Sequence, residues 1–488
     1  MAGAHILAID QGTSSTKCLL VDRQGRVVAS GTAEVGQRHP HPGWVEQDPI
    51  EIWQSVAAAV ADCLDGQDPA RVAAIGFSTQ RESLVVWDRR SGEPVSPMLG
   101  WQDQRTAAMC AGLRSDEIDR QVLERSGLPL DPMFSAIKAR WVLDQVPGAE
   151  QRAKAGELCL GTVDSWLLSR FGGEHVIEAG NAARTQLLNV RDVAWDDWLL
   201  DLFGIPAAML PKVLPSNGPF PSARGLAGLP DGVPVLAVMG DSHSALFAHG
   251  AFEPGQVKAT YGTGSSIMGL IERPDALAEG VCLTIGWMLD RPAFAAEGNI
   301  RSTGATIRWA AGLLGVSPQE LADLAAGATS DGVALVPAFG GLGAPYWDDK
   351  AVALLAGFGL GTSRDNIARA ALESIPHQVA DVLDVVDRSV GRVGELFADG
   401  GATRNPVLMQ LQADLAGRPV LRSNTAELSA LGVAHMAGLG AGFWNMAELL
   451  ALPRERQRFE PRMDGNEREG ERRHWRRMVA RARLRAPD

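Results

Sequence analysis

Three short stretches of this 488-residue chain have the composition to hold phosphate. Asp10-Gln11-Gly12-Thr13 follows the apolar run 5–9, Tyr261-Gly262-Thr263-Gly264-Ser265 follows residues 256–260, and Asp399-Gly400-Gly401-Ala402 follows residues 396–398. Glycine, threonine and serine at a strand end let backbone N–H groups and hydroxyls close around phosphate oxygens. An aspartate there can hold Mg²⁺ through water. Any one of them reads equally well as an ordinary hairpin built from good turn formers. Three of them, each ending an apolar strand and spread over both halves, point to phosphate binding. No Gly-Lys-Ser/Thr stands in the right setting, so a P-loop NTPase is excluded. A fourth stretch, Gly240-Asp241-Ser242-His243, ends another apolar run and offers Asp241 as a proton acceptor for a hydroxyl. The plain alternative for Asp241 is an N-cap on the helix that follows.

The elements that must position these residues are legible from periodicity. Apolar stretches 5–9, 18–21 and 27–32, separated by tight polar turns, predict an antiparallel meander. From Pro49 onward, Ile52, Val56, Val60 and Cys63 recur at three-to-four spacing, which predicts an amphipathic helix. Strands at 72–77 and 84–87 flank the polar Ser78-Thr79-Gln80-Arg81-Glu82. The second half repeats the plan, with strands at 233–238, 256–260, 267–271 and 396–398, a helix-like stretch at 245–249 and a helix over Pro406–Ala416. Strand, acidic-glycine turn, strand and helices, twice over, predict an α/β protein of two similar halves. The domains are expected at 1–245 and 246–488, sharing a cleft, because no long Pro/Ser linker separates them. After Glu467 the chain is rich in arginine, but Glu467, Glu469 and Glu471 interleave with the basic residues. Trp475, Met478, Val479 and Ala482 fall at helical spacing, so a terminal helix docked by Trp475 is expected there.

Composition narrows the function classes. Lys and Arg number 46 against 58 Asp and Glu, a net charge of −12. Such a surface repels phosphate backbones and anionic lipid, so neither nucleic acid nor a membrane is an expected partner. Any bound phosphate must be held locally, by N–H groups and a few cations. With 45% hydrophobic and 21% charged residues, the chain has the make-up of a globular protein long enough for two cores. The five cysteines are scattered without C-x-x-C spacing, which indicates neither a zinc site nor a disulfide framework. Without a leader-like N-terminus or a bilayer-length apolar run, the expectation is a reduced, cytoplasmic protein.

Longer blocks carry a family resemblance. They are Ala8-Ile9-Asp10-Gln11-Gly12-Thr13-Ser14-Ser15, Pro42-Gly43-Trp44-Val45-Glu46-Gln47-Asp48-Pro49, Thr79-Gln80-Arg81-Glu82, Gly161-Thr162-Val163-Asp164-Ser165-Trp166-Leu167 and Tyr261-Gly262-Thr263-Gly264. Pro337-Ala338-Phe339 leading to Gly341-Leu342-Gly343-Ala344-Pro345-Tyr346-Trp347-Asp348 is the most specific. Together they resemble the FGGY carbohydrate kinases of the actin/hexokinase superfamily, most of all the glycerol kinases, over nearly the whole chain. The first family signature falls on residues 133–145, with Ala139 where a larger apolar residue is usual. The second falls on 353–373, with Phe358 in place of an aliphatic residue.

The resemblance implies two ribonuclease-H-like α/β domains around a deep nucleotide cleft. It also implies ATP and Mg²⁺ as cofactors, and transfer of the γ-phosphoryl group to a primary hydroxyl of a small polyol or sugar. Asp241 falls on the family's catalytic base and Asp10 on its metal site. Thr13, Ser14, Ser15 and Thr263 fall around the triphosphate, with Lys17 where glycerol kinases usually carry Arg. Gly304, Arg308, Gly401 and Asn405 match positions lining the nucleotide. Arg81 and Glu82 match the pair that bonds acceptor hydroxyls, and Trp101 an apolar wall. Met133 and Ser242 stand where glycerol kinases have Tyr and Gln, so a roomier pocket is expected, suited to a four- or five-carbon polyol or ketose. Ser242-His243-Ser244 offers new donors to such an acceptor, unless His243 is a satisfied helix residue. The alternatives are a ketopentose kinase acting on xylulose or ribulose and, from another class, a non-catalytic actin-like ATP-binding protein. The retained Asp241 and the Arg81-Glu82 pair argue against the latter. Residues 226–234 are short and poor in Gly-Arg, so fructose 1,6-bisphosphate regulation is not expected. Assembly as a homodimer is left open.

Overall fold

The meander expected near the N-terminus forms strands His5–Gln11, Ser15–Val21 and Val27–Glu34, paired antiparallel with Asp10 opposite Lys17. Strand Val72–Thr79 lies parallel to His5–Gln11 on its other side, and Val235–Gly240 lies parallel beyond it, completing a five-stranded sheet. Parallel strands are covered on both faces, and these two accordingly read as near-continuous apolar runs. The register puts Gln11 opposite Thr79 and Thr79 opposite Gly240, so three adjacent strands end together. The carboxyl ends of parallel strands are where open α/β sheets place their ligands. Here that edge carries Asp10, Arg81 and Asp241.

Helices close both faces of this sheet. Asp48 caps helix Pro49–Leu64 by accepting from the Ile50 N–H, and Ile52, Val56, Val60 and Cys63 are buried against Leu7, Ile9 and Leu20, as their spacing predicts. On the other face, helix Leu428–Gly440 packs so closely that a Cβ on Gly76 would stand 2.6 Å from the Val433 carbonyl oxygen. A Cβ on Gly432 of that helix would stand 1.9 Å from the Ser244 carbonyl oxygen, so only glycine lets it meet helix Asp241–Ala248.

The computed structural model describes residues 4–485, which form two compact units. The first comprises the described part of Met1–Gly250 together with Leu283–Phe294 and Glu427–Pro453. The chain therefore returns to it twice, which a single boundary near residue 245 does not include. The reason is apolar area: Val433, Ala434, Met436 and Ala437 of the returning helix are all buried. A smaller sheet in this unit, built from Glu46–Gln47, Met98–Leu99, Leu84–Asp88 and Leu158–Thr162, has its own core of Leu84, Val86, Leu99, Ile137 and Leu160. Trp101 follows Met98–Leu99 in the chain, and Met133 precedes helix Ser135–Gln145, which contributes Ile137 to that core.

The second unit repeats the plan. Val257–Tyr261 pairs antiparallel with Ser265–Leu270, which pairs with Pro292–Ile300. On its other edge Val257–Tyr261 is parallel to Leu396–Asp399, which is parallel to Val420–Ser423. The terminal helix Gly465–Ala482 docks as expected: Trp475 is buried, donates from Nε1 to Asp381 Oδ2 at 2.7 Å and stacks on His377. Among the described residues no disulfide joins the five buried cysteines, and no helix is long and apolar enough to cross a membrane.

Candidate active site at the carboxyl ends of three parallel strands

Asp10 sits at the end of its strand, with one carboxylate oxygen, Oδ1, buried and without a hydrogen-bond partner. Burial pushes its carboxyl up to about 7 against the pull of the neighbouring Ser78 hydroxyl; the negative charges of Asp241 and Glu427 add to the shift, and Lys17 opposes it. Beyond Asp10 the chain turns through Gly12, whose N–H donates to the Ser15 carbonyl at 3.0 Å, leaving Thr13, Ser14 and Ser15 around an open polar turn. Lys17 projects from the next strand, and its Nζ is 2.6 Å from Glu427 Oε2. The cation expected at the phosphate is thus held by a carboxylate at the start of the returning helix, a partner far away in sequence.

Asp241 is the first residue of its helix rather than the cap. Gly240 occupies the N-cap, and the helix begins four residues earlier than expected. The Asp241 carboxylate accepts from the Ser242 N–H at 2.5 Å and lies 3.2 Å from Arg81 Nε, with its side chain 38% exposed. Gly240 makes room for this contact, because a Cβ there would stand 2.5 Å from Arg81 Cδ. Arg81 also meets His243 Nε2 at 3.3 Å. His243 is fully buried, and Ser244 donates to the Ser429 carbonyl at 2.5 Å. Of the three candidate donors, His243 and Ser244 are therefore occupied inside the fold.

Glu82 occupies a positive-φ conformation, φ 60, in a tight turn closed by the Ser83 N–H on the Arg81 carbonyl at 2.7 Å. Such a backbone is unusual for a non-glycine residue and persists only where surrounding contacts fix it. They do so here. Arg184, wholly buried, donates from Nε to Glu82 Oε1 at 2.6 Å, and Ser135 donates to the Glu82 carbonyl at 2.9 Å. Trp101 is more than an apolar wall, since its Nε1 donates to Thr13 Oγ1 at 3.1 Å. Lys138, also fully buried, donates to the carbonyls of Gly100 and Met133, each at 2.7 Å, and so ties together the segments that present Trp101 and Met133. Its burial pulls the ammonium down to about 8, against the opposing charges of Asp103, Glu82 and Asp131. Arg184 and Lys138 escaped the sequence reading as site residues, because nothing local in either segment says that a cation will be buried.

In the second unit the loop Tyr261-Gly262-Thr263-Gly264 joins the two strands of the central hairpin and packs on the segment entering helix Gly304–Leu314. Thr303 and Ala305 donate to the Thr263 carbonyl at 2.9 and 3.1 Å, and Gly304 donates to the Gly262 carbonyl at 3.0 Å. A Cβ on Gly304 would stand 2.8 Å from that carbonyl oxygen. The Thr263 side chain is exposed at the turn, as is Arg308 on the helix. Gly400, with φ 95, brings the third loop against Tyr261. Gly401 is exposed, and Asn405 caps helix Pro406–Ala416 by accepting from the N–H groups of Val407 and Leu408.

The first unit thus joins an orphaned carboxylate oxygen, a second carboxylate oriented by arginine, and a buried glutamate locked by Arg184. Among the described residues no three His, Cys, Asp or Glu groups are placed to cage a metal.

Residues 5–248 match the N-terminal domain, and residues 257–441 the C-terminal domain, of the FGGY family of carbohydrate kinases. The chain is 44% identical over 488 residues to a protein of Pectobacterium atrosepticum named apulose kinase, covering 98% of each. It is 43% identical over 472 residues to a glycerol kinase of Paraburkholderia phytofirmans, covering 94% of each. The crystal structure of Plasmodium falciparum glycerol kinase with ADP superposes with a TM-score of 0.90 at 28% identity, over 99% of each chain.

Proposed function

We propose, from the premise that this chain belongs to the FGGY family of carbohydrate kinases, that it moves the γ-phosphoryl group of ATP onto a primary hydroxyl of a four- or five-carbon polyol or ketose. The observation that carries this reading is the convergence of Asp10, Arg81 and Asp241 at the ends of three neighbouring strands. Asp241 accepts the hydroxyl proton as the acceptor oxygen bonds to the γ-phosphorus. The bond from that phosphorus to the β–γ bridging oxygen breaks, and ADP leaves. Arg81 orients Asp241 and, with Glu82, binds the other hydroxyls. Trp101, Met133 and Ser242 complete the acceptor pocket. Thr13, Ser14 and Ser15 bind the transferring phosphoryl group, and Lys17 neutralises it by exchanging its Glu427 partner for phosphate. On the second unit we assign Thr263 to the phosphates, and Gly304, Arg308, Gly401 and Asn405 to the nucleotide. Asp10 is the residue that would hold Mg²⁺, consistent with its orphaned Oδ1, and the ion would offset charge between the β- and γ-phosphates. On this reading the unit built on residues 1–245, with the two segments that return to it, carries the acceptor and phosphate loop, the remainder of 246–488 carries the nucleotide side, and the protein works in the cytoplasm.

Identity does not choose the acceptor, since a relative named for apulose and one named for glycerol lie at 44% and 43%. Two side chains support a longer one. Met133 and Ser242 have less polar reach than Tyr and Gln, which supports an acceptor that brings further hydroxyls of its own. The test is kcat/KM for glycerol, erythritol, xylitol, xylulose, ribulose and apulose, with the native protein and Met133→Tyr/Ser242→Gln. The native protein is expected to prefer a longer acceptor, and the double variant to shift toward glycerol by about tenfold or more. A native preference for glycerol over every longer acceptor removes the roomy-pocket reading and leaves a glycerol kinase.

A further inference from the structure

Behind the candidate site the side chains form a closed ring of hydrogen bonds that none of the roles above uses. Trp101 Nε1 donates to Thr13 Oγ1 at 3.1 Å, and the Trp101 backbone N–H donates to Ser83 Oγ at 3.1 Å. Ser83 Oγ donates to Gln80 Oε1 at 2.8 Å. Gln80 Nε2 then donates to Gln47 Oε1 and to Gln11 Oε1, each at 3.1 Å. Gln47 Nε2 returns to the loop, donating to the Thr13 carbonyl at 3.0 Å and to the Gly36 carbonyl at 3.2 Å. Gln11, Gln47, Gln80 and Ser83 are at most 1% exposed. Each amide is therefore held in one orientation by protein partners.

The ring joins two things that the reaction must bring together. Gln80 and Ser83 bracket Arg81 and Glu82, the acceptor-binding pair, and Thr13 belongs to the phosphate loop. A hydroxyl has one proton and two lone pairs. With the indole N–H on one lone pair, the Thr13 proton is left to point at a phosphate oxygen. We propose that Gln47 and Gln80 are positioning residues, which set the distance between acceptor hydroxyl and γ-phosphorus through this ring without touching either substrate. The inference rests on the kinase reading and deepens it. It accounts for why buried glutamines, which cost free energy unless fully bonded, occupy this layer. It also gives the chain a way to favour a bound alcohol over water. Water in the same place would attack the γ-phosphorus and break the same bridging bond, leaving ADP and inorganic phosphate. An acceptor seated on Arg81 and Glu82 is already in register with Thr13.

The test uses the full chain with Gln80→Met and Gln47→Met, which keep side-chain length and remove the hydrogen bonds, and their double variant. Misplacement on the ångström scale costs up to about a hundredfold in rate. The expected result is a fall in kcat of about tenfold or more in each single variant. KM for acceptor and affinity for ADP should stay near native, and the ratio of inorganic phosphate to phosphorylated acceptor should rise. If the ring acts as a unit, the double variant is no worse than the poorer single one. Trp101→Phe, which keeps an aromatic wall and deletes the N–H, should raise the same ratio, and it provides the reading if a glutamine variant fails to fold. Native kcat and product ratio in the folded variants, a rise in acceptor KM alone, or additive losses in the double variant would each overturn the proposal. If the native protein transfers no phosphoryl group to any acceptor, the kinase reading itself fails, a result distinct from these.

Discussion

Asp10 is the side chain on which folding and function disagree most openly. A carboxylate buried with one oxygen unpartnered, near Asp241 and Glu427, is costly until something positive arrives. Burial and those two charges push its carboxyl up to about 7, whereas an unfolded aspartate titrates near 3.8. Between about pH 4 and pH 7 the folded protein therefore holds more protons than the unfolded chain, and its stability falls as pH rises through that window. At about 1.4 kcal/mol per pKa unit, the loss has an upper bound of about 4 kcal/mol. Asp10→Asn removes the titration, so in the absence of divalent cations its Tm should hold steady between about pH 4 and pH 7 while that of the native protein declines, both levelling off above about pH 7. Mg²⁺ with ADP should restore the native Tm more than that of the variant. Scanning calorimetry of both proteins across this range decides the matter, and parallel Tm–pH profiles would contradict the account. What the sequence made legible is where Asp10, Arg81, Glu82, Asp241 and Thr263 stand, at or just past the ends of apolar strands. Arg184, Lys138 and Glu427 escaped because their roles come from partners on distant segments, such as Glu427 beside Lys17, which no local pattern encodes.

The decisive contact between elements is the glycine-mediated one between helices Leu428–Gly440 and Asp241–Ala248. Since a Cβ at Gly432 would overlap the Ser244 carbonyl oxygen at 1.9 Å, Gly432→Val must drive the helices apart. Overpacking of this kind costs about 1–3 kcal/mol. Asp241 sits at the start of the displaced helix, and Ser429 of the other helix donates to the Asp241 carbonyl at 3.1 Å. Gly432→Val should therefore lower both the urea midpoint and kcat, whereas Gly442→Ala, past the end of the same helix, has open space but a φ of 68 that strains alanine, so it should lower the midpoint and leave kcat unchanged. Native stability and turnover in Gly432→Val would show that the packing is looser than described. The helix Asp241–Ala248 was read too late in the sequence, at 245, because Ser242, His243 and Ser244 look like loop residues. They are buried and bonded to Arg81 and Ser429, so tertiary contacts outweigh their weak helix preference.

For the molecule as a whole, the repeated hairpin-and-parallel-strand plan was legible because each copy has its own apolar strands and glycine turns. The threading was not. Nothing in the composition of residues 427–453 says that they return to the first unit, since an apolar helix fits either core. The consequence is testable: residues 1–250 alone lack the helix that covers Gly76 and Ser244, and they should expose that apolar face and unfold without a sharp transition. Adding residues 251–488 in trans should restore cooperative unfolding, and a stable, cooperative 1–250 fragment would contradict the division of the chain. The account as a whole turns on whether this assembled chain passes a phosphoryl group from ATP to an alcohol through Asp241. The measurement is simultaneous quantitation of ADP and phosphorylated acceptor for the native protein and Asp241→Asn, with ATP-analogue affinity followed in parallel. Equimolar ADP and product are expected from the native protein. The variant should lose about 10² to 10⁴ in kcat, the usual worth of a general base, while binding the analogue almost normally. Near-native turnover by Asp241→Asn would contradict it.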